Sequence, residues 1–471
     1  MATDPRNLRG DAPLLDAWLR FQETQGHPFT IPGHKHRLDL VGDVIRGDVP
    51  LYGGLDTMKL TGNLLLDAQA RAAALWSGDR CWFSVGGSTH GNQALALAVG
   101  QPGETVIVGR SAHRSVVLGL VLAGLVPHWV CPEVGPTGLP QPIAPHQIEE
   151  AFAAVPHAKA VFLGDPSYVG TTGDLTAIAE LAHRHDAPLL VDAAWAAHFG
   201  FHPDLPANPL RQGADAMVTS AHKTLPAWSQ GALIVLRGNR IDQHRLDAAV
   251  EATHTTSPAG AFLASIDAAR ALLERDGEEL LAALLSGVAR VRARLAEVAG
   301  LLVLDGPGVD PVKLTLGLSG TGADGNAIEA DLLARGLPLE LADRDTLVAM
   351  VTLADTPADL DWLAREVAAS VERHRGPART SAGLAAYRVV PQQVCPPREA
   401  FFAPRDAVPI AAAVGRVAAE LIAPYPPGIP VIAPGERITA EVVAALEQAR
   451  AAGARIAYAA DHTLATLLVC R

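Results

Sequence analysis

From about residue 80 the chain falls into short apolar runs, RCWFSV, TVIVG, HWVC, AVFLG, LLVD, AMVTS and ALIVL, most of them separated by longer stretches of helical spacing. Runs this short and this continuously apolar are strands covered on both faces, so the pattern predicts an α/β domain built on a seven-stranded, largely parallel sheet. Before it, Leu14, Leu15, Trp18, Leu19 and Phe21 give residues 11 to 25 one apolar helical face, the pattern of a docking arm. A second helix is expected from Thr61 or Asn63 through Ala74. After the sheet, AFLASIDAARALLERD reads as a helix, and residues 275 to 300 as a long amphipathic helix bridging to a second unit. That unit, with LLVL, VKLTLGL and TLVAMVTL as strands, reads as a small α/β region. Residues 375 to 410, rich in Pro, Gly and Arg, read as a linker or extended wrap, and the prolines from Pro424 to Pro434 as a rigid wall. The expected division is an arm with loops (1–60), a large domain (61–290), a small α/β region (291–374) and a C-terminal linker and domain (375–471).

An open parallel sheet binds its ligand beyond the carboxyl ends of its strands, and the polar residues of this chain gather there. The run LLVD ends in Asp192, followed by Ala193, Ala194 and Trp195; AMVTS ends in Ser220, followed by Ala221, His222 and Lys223. The chain holds only five lysines, so one set between His and Thr at a strand end stands out from a solvated surface. An amine and a carboxylate on neighbouring strand ends suit pyridoxal phosphate: the lysine forms a Schiff base with the aldehyde, and the acid keeps a proton on the ring nitrogen. Gly86-Gly87-Ser88-Thr89 opens a helix, where glycine lets the backbone come close and hydroxyls and amides favour a phosphate. His113, after the second strand, is placed to stack on a flat ring or to cap a helix. Thr255, Thr256 and Ser257 concentrate hydroxyls before another helix, as caps or as phosphate ligands.

Composition narrows the partners. A formal charge of −12 speaks against nucleic acid and anionic membranes, and the apolar runs are too short to span a bilayer. The four cysteines, Cys81, Cys131, Cys395 and Cys470, have neither disulfide-framework nor zinc-ligand spacing, and no acid or cysteine cluster accompanies the histidines. With no signal-peptide pattern at the start, the expectation is a cytoplasmic protein with a small-molecule partner and no metal.

Taken together, PGHKH at residue 32, GGSTHGN, GRSAHRS, DAAW, TSAHKTLPAWSQ, THTTSP, PREAFFAP and APYPPGIPVIAPGE resemble the prokaryotic Orn/Lys/Arg decarboxylases, in a short form without an N-terminal wing domain. The resemblance implies the PLP-dependent type I aminotransferase fold, with Lys223 as Schiff-base lysine, Asp192 on the pyridine nitrogen and His113 on the ring. It further implies that Ser88, Thr89, Ser220 and His222 hold the phosphate and that Trp195 packs beside the cofactor. Thr255, Thr256 and Ser257 would arrive from a partner subunit, which makes the expected assembly a homodimer with shared sites. Two departures bear on substrate: Thr57 and Lys59 stand where short relatives have an acid and a histidine, and Gly86 stands where asparagine is usual.

The expected reaction is α-decarboxylation of a basic amino acid, arginine, lysine or ornithine, with His222 or Lys223 returning the proton to Cα. A distal ammonium or guanidinium needs a carboxylate, for which Glu420 and Glu436 are the nominees. Transamination or oxidative deamination of the same substrates shares the fold and the lysine. A non-catalytic regulator normally loses the lysine or the phosphate loop, and both are present here.

Overall fold

The structure, a computed structural model, describes residues 3–23, 29, 31–49, 64–135, 138–381, 389–425, 429–451 and 453–471. Thr57 and Lys59 lie outside them. The seven apolar runs form one sheet: β1 (Arg80–Ser84), β2 (Thr105–Gly109), β3 (Val126–Val130), β4 (Val161–Gly164), β5 (Leu189–Asp192), β6 (Ala216–Ser220) and β7 (Ala232–Leu236). Their order is β1-β7-β6-β5-β4-β2-β3. β2 through β6 pair in parallel, and β7 runs antiparallel to both β1 and β6.

Both faces of this sheet are buried, which is why its strands carry no alternation of polar residues. Val161, Leu163, Leu189, Val191, Met217, Leu233 and Val235 face one apolar layer, packed with residues of the helices Leu64–Leu75, Leu175–Arg184 and Gly260–Ala296. Their sequence neighbours Phe162, Leu190, Ala216, Val218 and Ile234 face the other, against the helices Gly87–Val99, Arg114–Ala123 and Gln243–Thr253. The arm helix, Pro13–Glu23, docks on Gly260–Ala296, where the buried Asp267 carboxylate accepts the Leu14 amide at 2.8 Å.

Two readings change. The helix before residue 275 and the bridging helix are one element, Gly260–Ala296, whose first half packs under the large domain and whose second half carries the small one. The small region is a four-stranded antiparallel sheet, ordered β10-β11-β9-β8, with β8 (Leu302–Val303), β9 (Lys313–Gly317), β10 (Leu341–Ala342) and β11 (Thr346–Met350). β10 was not expected, because two residues give no period. Past residue 389 the proposed linker holds a helix, Pro397–Phe402, and β12 (Arg405–Pro409), which pairs with β15 (Thr466–Cys470). With β13 (Ala423–Tyr425), β14 (Arg455–Ala457) and the helix Ala440–Ala451, this part has its own core around Ile432, Ile438, Val442, Leu446 and Val469.

Candidate active site

The carboxyl ends of β4, β5 and β6, the turn after β1 and the loop after β2 surround a cavity of about 650 Å³. Parallel register sets Gly164 of β4 beside Asp192 of β5, and Asp192 beside Val218 of β6, two residues short of Ser220. A single helical turn, Ala221–Thr224, then carries His222 and Lys223. Asp192, Trp195, Ser220, His222, Lys223, Ser88, Thr89 and His113 all line this cavity.

The helix Gly87–Val99 lies tight on β6. A Cβ added to Gly91 would sit 2.6 Å from Val218 Cγ1, so only glycine permits the approach. Gly87 turns into that helix at φ +70, a conformation open to glycine. The close approach puts Ser88 Oγ 2.7 Å from Ser220 Oγ at the helix N-terminus.

One residue with no assigned role organises the acid and the imidazole. The buried Asn92 amide nitrogen donates to Asp192 Oδ2 at 2.7 Å and to Ser115 Oγ at 2.8 Å. The Ser115 hydroxyl lies 2.8 Å from His113 Nδ1, which also accepts the Ser115 backbone N–H at 3.2 Å. His113 is therefore held with Nδ1 as acceptor and lines the cavity. Asp192 Oδ1 accepts the Ala194 amide at 3.2 Å. The protein packed around His113 lowers its pKa, against the pull of Asp192. Burial likewise lowers Lys223, with Asp192 and Glu340 pulling the other way. His222 is lowered by burial too; its Nδ1 donates to the Gly231 carbonyl at 2.8 Å, and Nε2 has no hydrogen bond among the described residues.

The small domain closes one side. The Thr315 hydroxyl donates to the Val169 carbonyl at 2.8 Å, and the Tyr168 hydroxyl donates to Glu340 Oε1 at 2.6 Å. Tyr168 meets Trp195 edge to face, centroids 5.3 Å apart, and Lys223 Nζ lies 3.9 Å from the Trp195 ring centroid. Glu340 and Asp192 are the two carboxylates among the described lining residues.

Neither acid nominated for the substrate is here. Glu436, fully buried, grips Arg110 through both oxygens and accepts the Ala433 amide at 2.7 Å. Glu420 accepts the Ala460 and Leu468 amides at 2.7 and 2.6 Å, and burial raises its pKa. Both tie the C-terminal region together. Thr255, Thr256 and Ser257 are exposed and do not line this chain's own cavity.

The cavity suits pyridoxal phosphate by its donors and its shape. An amine and a carboxylate reach it from adjacent strand ends, and two paired hydroxyls stand at a helix N-terminus. At Gly164 an added Cβ would meet only the Asp192 carbonyl oxygen, at 4.0 Å, so there is room for a ring beside the acid.

Comparison with known proteins agrees with the geometry. The profile of the Orn/Lys/Arg decarboxylase major domain matches residues 12–304, and that of the C-terminal domain matches 381–456. The chain is 30% identical to an arginine decarboxylase of Halalkalibacterium halodurans over 98% of its own length and 97% of the relative's. It is 29% identical to an arginine decarboxylase of Bacillus subtilis, over 98% of each. Among solved structures, the lysine decarboxylase of Francisella novicida superposes with a TM-score of 0.81 at 20% identity, over 97% of this chain and 80% of that one. A match of this length, in sequence and in fold, leaves one assignment: the chain belongs to the Orn/Lys/Arg decarboxylase family and has the PLP-dependent type I aminotransferase fold.

Proposed function

We propose that the enzyme removes the α-carboxyl group of a basic amino acid as carbon dioxide and releases the corresponding amine, with arginine the first substrate to assay because two relatives matched end to end are arginine decarboxylases. The observation that carries this reading is the convergence of Lys223, the Asn92-held Asp192, His113 and a second acid, Glu340, on one cavity.

Pyridoxal phosphate, when bound, supplies an aldehyde that takes an amine and a ring that accepts the electron pair left as carbon dioxide departs. Lys223 Nζ would hold the aldehyde, Asp192 the ring N–H, His113 one ring face, and Ser88, Thr89, Ser220 and the amides of the helix Gly87–Val99 the phosphate. Trp195 and Tyr168 form an apolar wall that keeps water from the reacting carbon. Once released, Lys223 Nζ, its pKa lowered by burial, is suited to carry a proton to Cα, and His222 Nε2 is the alternative donor. Glu340 faces the cavity from the small domain and would pair with the distal cation of the substrate.

The working form is read as a cytoplasmic homodimer in which Thr255, Thr256 and Ser257 complete the partner's site. Their exposure, and that of Trp228, supports a covered face on this chain, and the four free cysteines suit a reducing compartment.

Incubation with arginine, lysine and ornithine tests the reaction: carbon dioxide and amine support it, whereas keto acid in stoichiometric yield would favour transamination or oxidation, which the relatives do not. The Lys223→Ala protein should lose the visible absorbance of covalently held cofactor after gel filtration.

A further inference from the structure

The cavity has a second lysine behind its wall. Lys313 of β9 is 4% exposed, yet its Nζ has no hydrogen-bond partner among the described residues. It lies 3.5 Å from the Trp195 ring centroid and 5.3 Å from that of Tyr168. With Lys223 Nζ 3.9 Å from the same Trp195 centroid, the two amines are at most 7.4 Å apart. An ammonium resting on aromatic faces, with no hydrogen-bond partner among the described residues, is held in its charged form by those ring faces and by the acids around it.

Those surroundings can be named. Glu340, before β10, and Asp310, in the turn preceding β9, favour the charge, while burial and Lys223 oppose it, and the balance lowers Lys313 to about 8. Asp310 is partly occupied by His198 at 3.2 Å. Tyr168 gives its hydroxyl to Glu340, and Arg292 donates to the Lys313 carbonyl at 2.7 Å while pairing with Asp305. Glu340 is thus the carboxylate that both supports Lys313 and opens onto the cavity.

We propose that Lys313 is a specificity-determining residue that couples capture of the substrate's distal cation at Glu340 to loss of its own proton. This rests on the reading of Glu340 as the distal-cation partner. A guanidinium or ammonium arriving at Glu340 takes over that charge and repels the ammonium behind it. The Lys313 Nζ–H bond then breaks, its electron pair stays on nitrogen, and the proton passes to bulk water. Near neutral pH the free site is protonated and must give up that proton to bind; above pH 9 the penalty is gone. Cations are thereby admitted more readily as the medium turns alkaline.

The test uses holoenzyme and n-butylguanidine, which carries the distal cation but no reactive amine and does not titrate below pH 12. Calorimetry in buffers of different ionisation heat counts protons released. Wild type should release most of one proton per site at pH 7 and almost none at pH 9.5, with affinity rising up to about tenfold between them. Lys313→Met should bind with no proton release and no such slope. Lys313→Arg, which keeps the charge, should bind weakly throughout and serves if the Met variant does not fold. Absence of proton release by wild type, or the same release from the variants, overturns the proposal. Carbon dioxide release from arginine is scored separately, so loss of the coupling is told apart from loss of the reaction itself.

Discussion

Glu436 tests the line between a structural acid and a substrate acid. Its carboxylate holds both terminal nitrogens of Arg110, one of them at 2.9 Å, and accepts the Ala433 amide. Among the described residues Arg110 has one further acceptor, the Val431 carbonyl at 3.2 Å, and its Nε has no partner; its guanidinium lies over the Trp129 ring. The pair joins the loop after β2 to the C-terminal region with both side chains out of water. Glu436→Leu strands a guanidinium and Arg110→Met strands a carboxylate, and each should cost about 3–5 kcal/mol. Replacing both removes the buried charges and leaves mainly the Ala433 amide unpaired, so the double variant should lie within about 2 kcal/mol of wild type. The coupling is then about 4 kcal/mol or more. Native-state hydrogen exchange over residues 429–438 reads the opening free energy of this region directly. Single losses below 1 kcal/mol, or a double variant as unstable as the two singles combined, would refute the reasoning. Carbon dioxide release should survive in the double variant; its loss with the fold intact would return Glu436 to the substrate.

Asn92→Leu removes the donor that serves both Asp192 and Ser115, a loss of about 2 kcal/mol or roughly thirtyfold in carbon dioxide release at saturating cofactor, and a wild-type rate would sink the role. Asp165, buried with one oxygen on the Gly173 amide, has its pKa raised by burial to about 7 from 3.8. Its folded value lies above its unfolded one, so the stability it contributes is complete below pH 3.8 and is lost as pH rises through 7. Asp165→Asn should therefore match wild type near pH 4 and exceed it by up to about 4 kcal/mol at pH 9, read from denaturant midpoints. Mixing Lys223→Ala subunits with subunits bearing Thr255→Ala, Thr256→Ala and Ser257→Ala should restore roughly a quarter of wild-type activity, because half the dimers are mixed and each has one whole site. No recovery after subunit exchange would refute the shared site.

The sequence alone determined the sheet and half of the site. Seven strands were legible because a strand buried on both faces must be apolar throughout, and their carboxyl ends followed because a parallel sheet leaves its ligand no other rim. Asp192, Ser220, His222 and Lys223 were readable at those ends, since they follow closely on the apolar runs 189–191 and 216–218. Only the tertiary structure decided which of these acids faces the cavity. Glu340, Glu420 and Glu436 are alike as letters in proline-rich or apolar surroundings, and what separates them is which backbone amides and which guanidinium fold against each. Asn92 and Lys313 were silent for the same reason: one sits in an apolar helix and the other in an apolar strand, and their meaning lies in Asp192 and Trp195, 100 and 118 residues away along the chain. Local periodicity reports burial, whereas a charge acquires its role from partners that only long-range packing supplies.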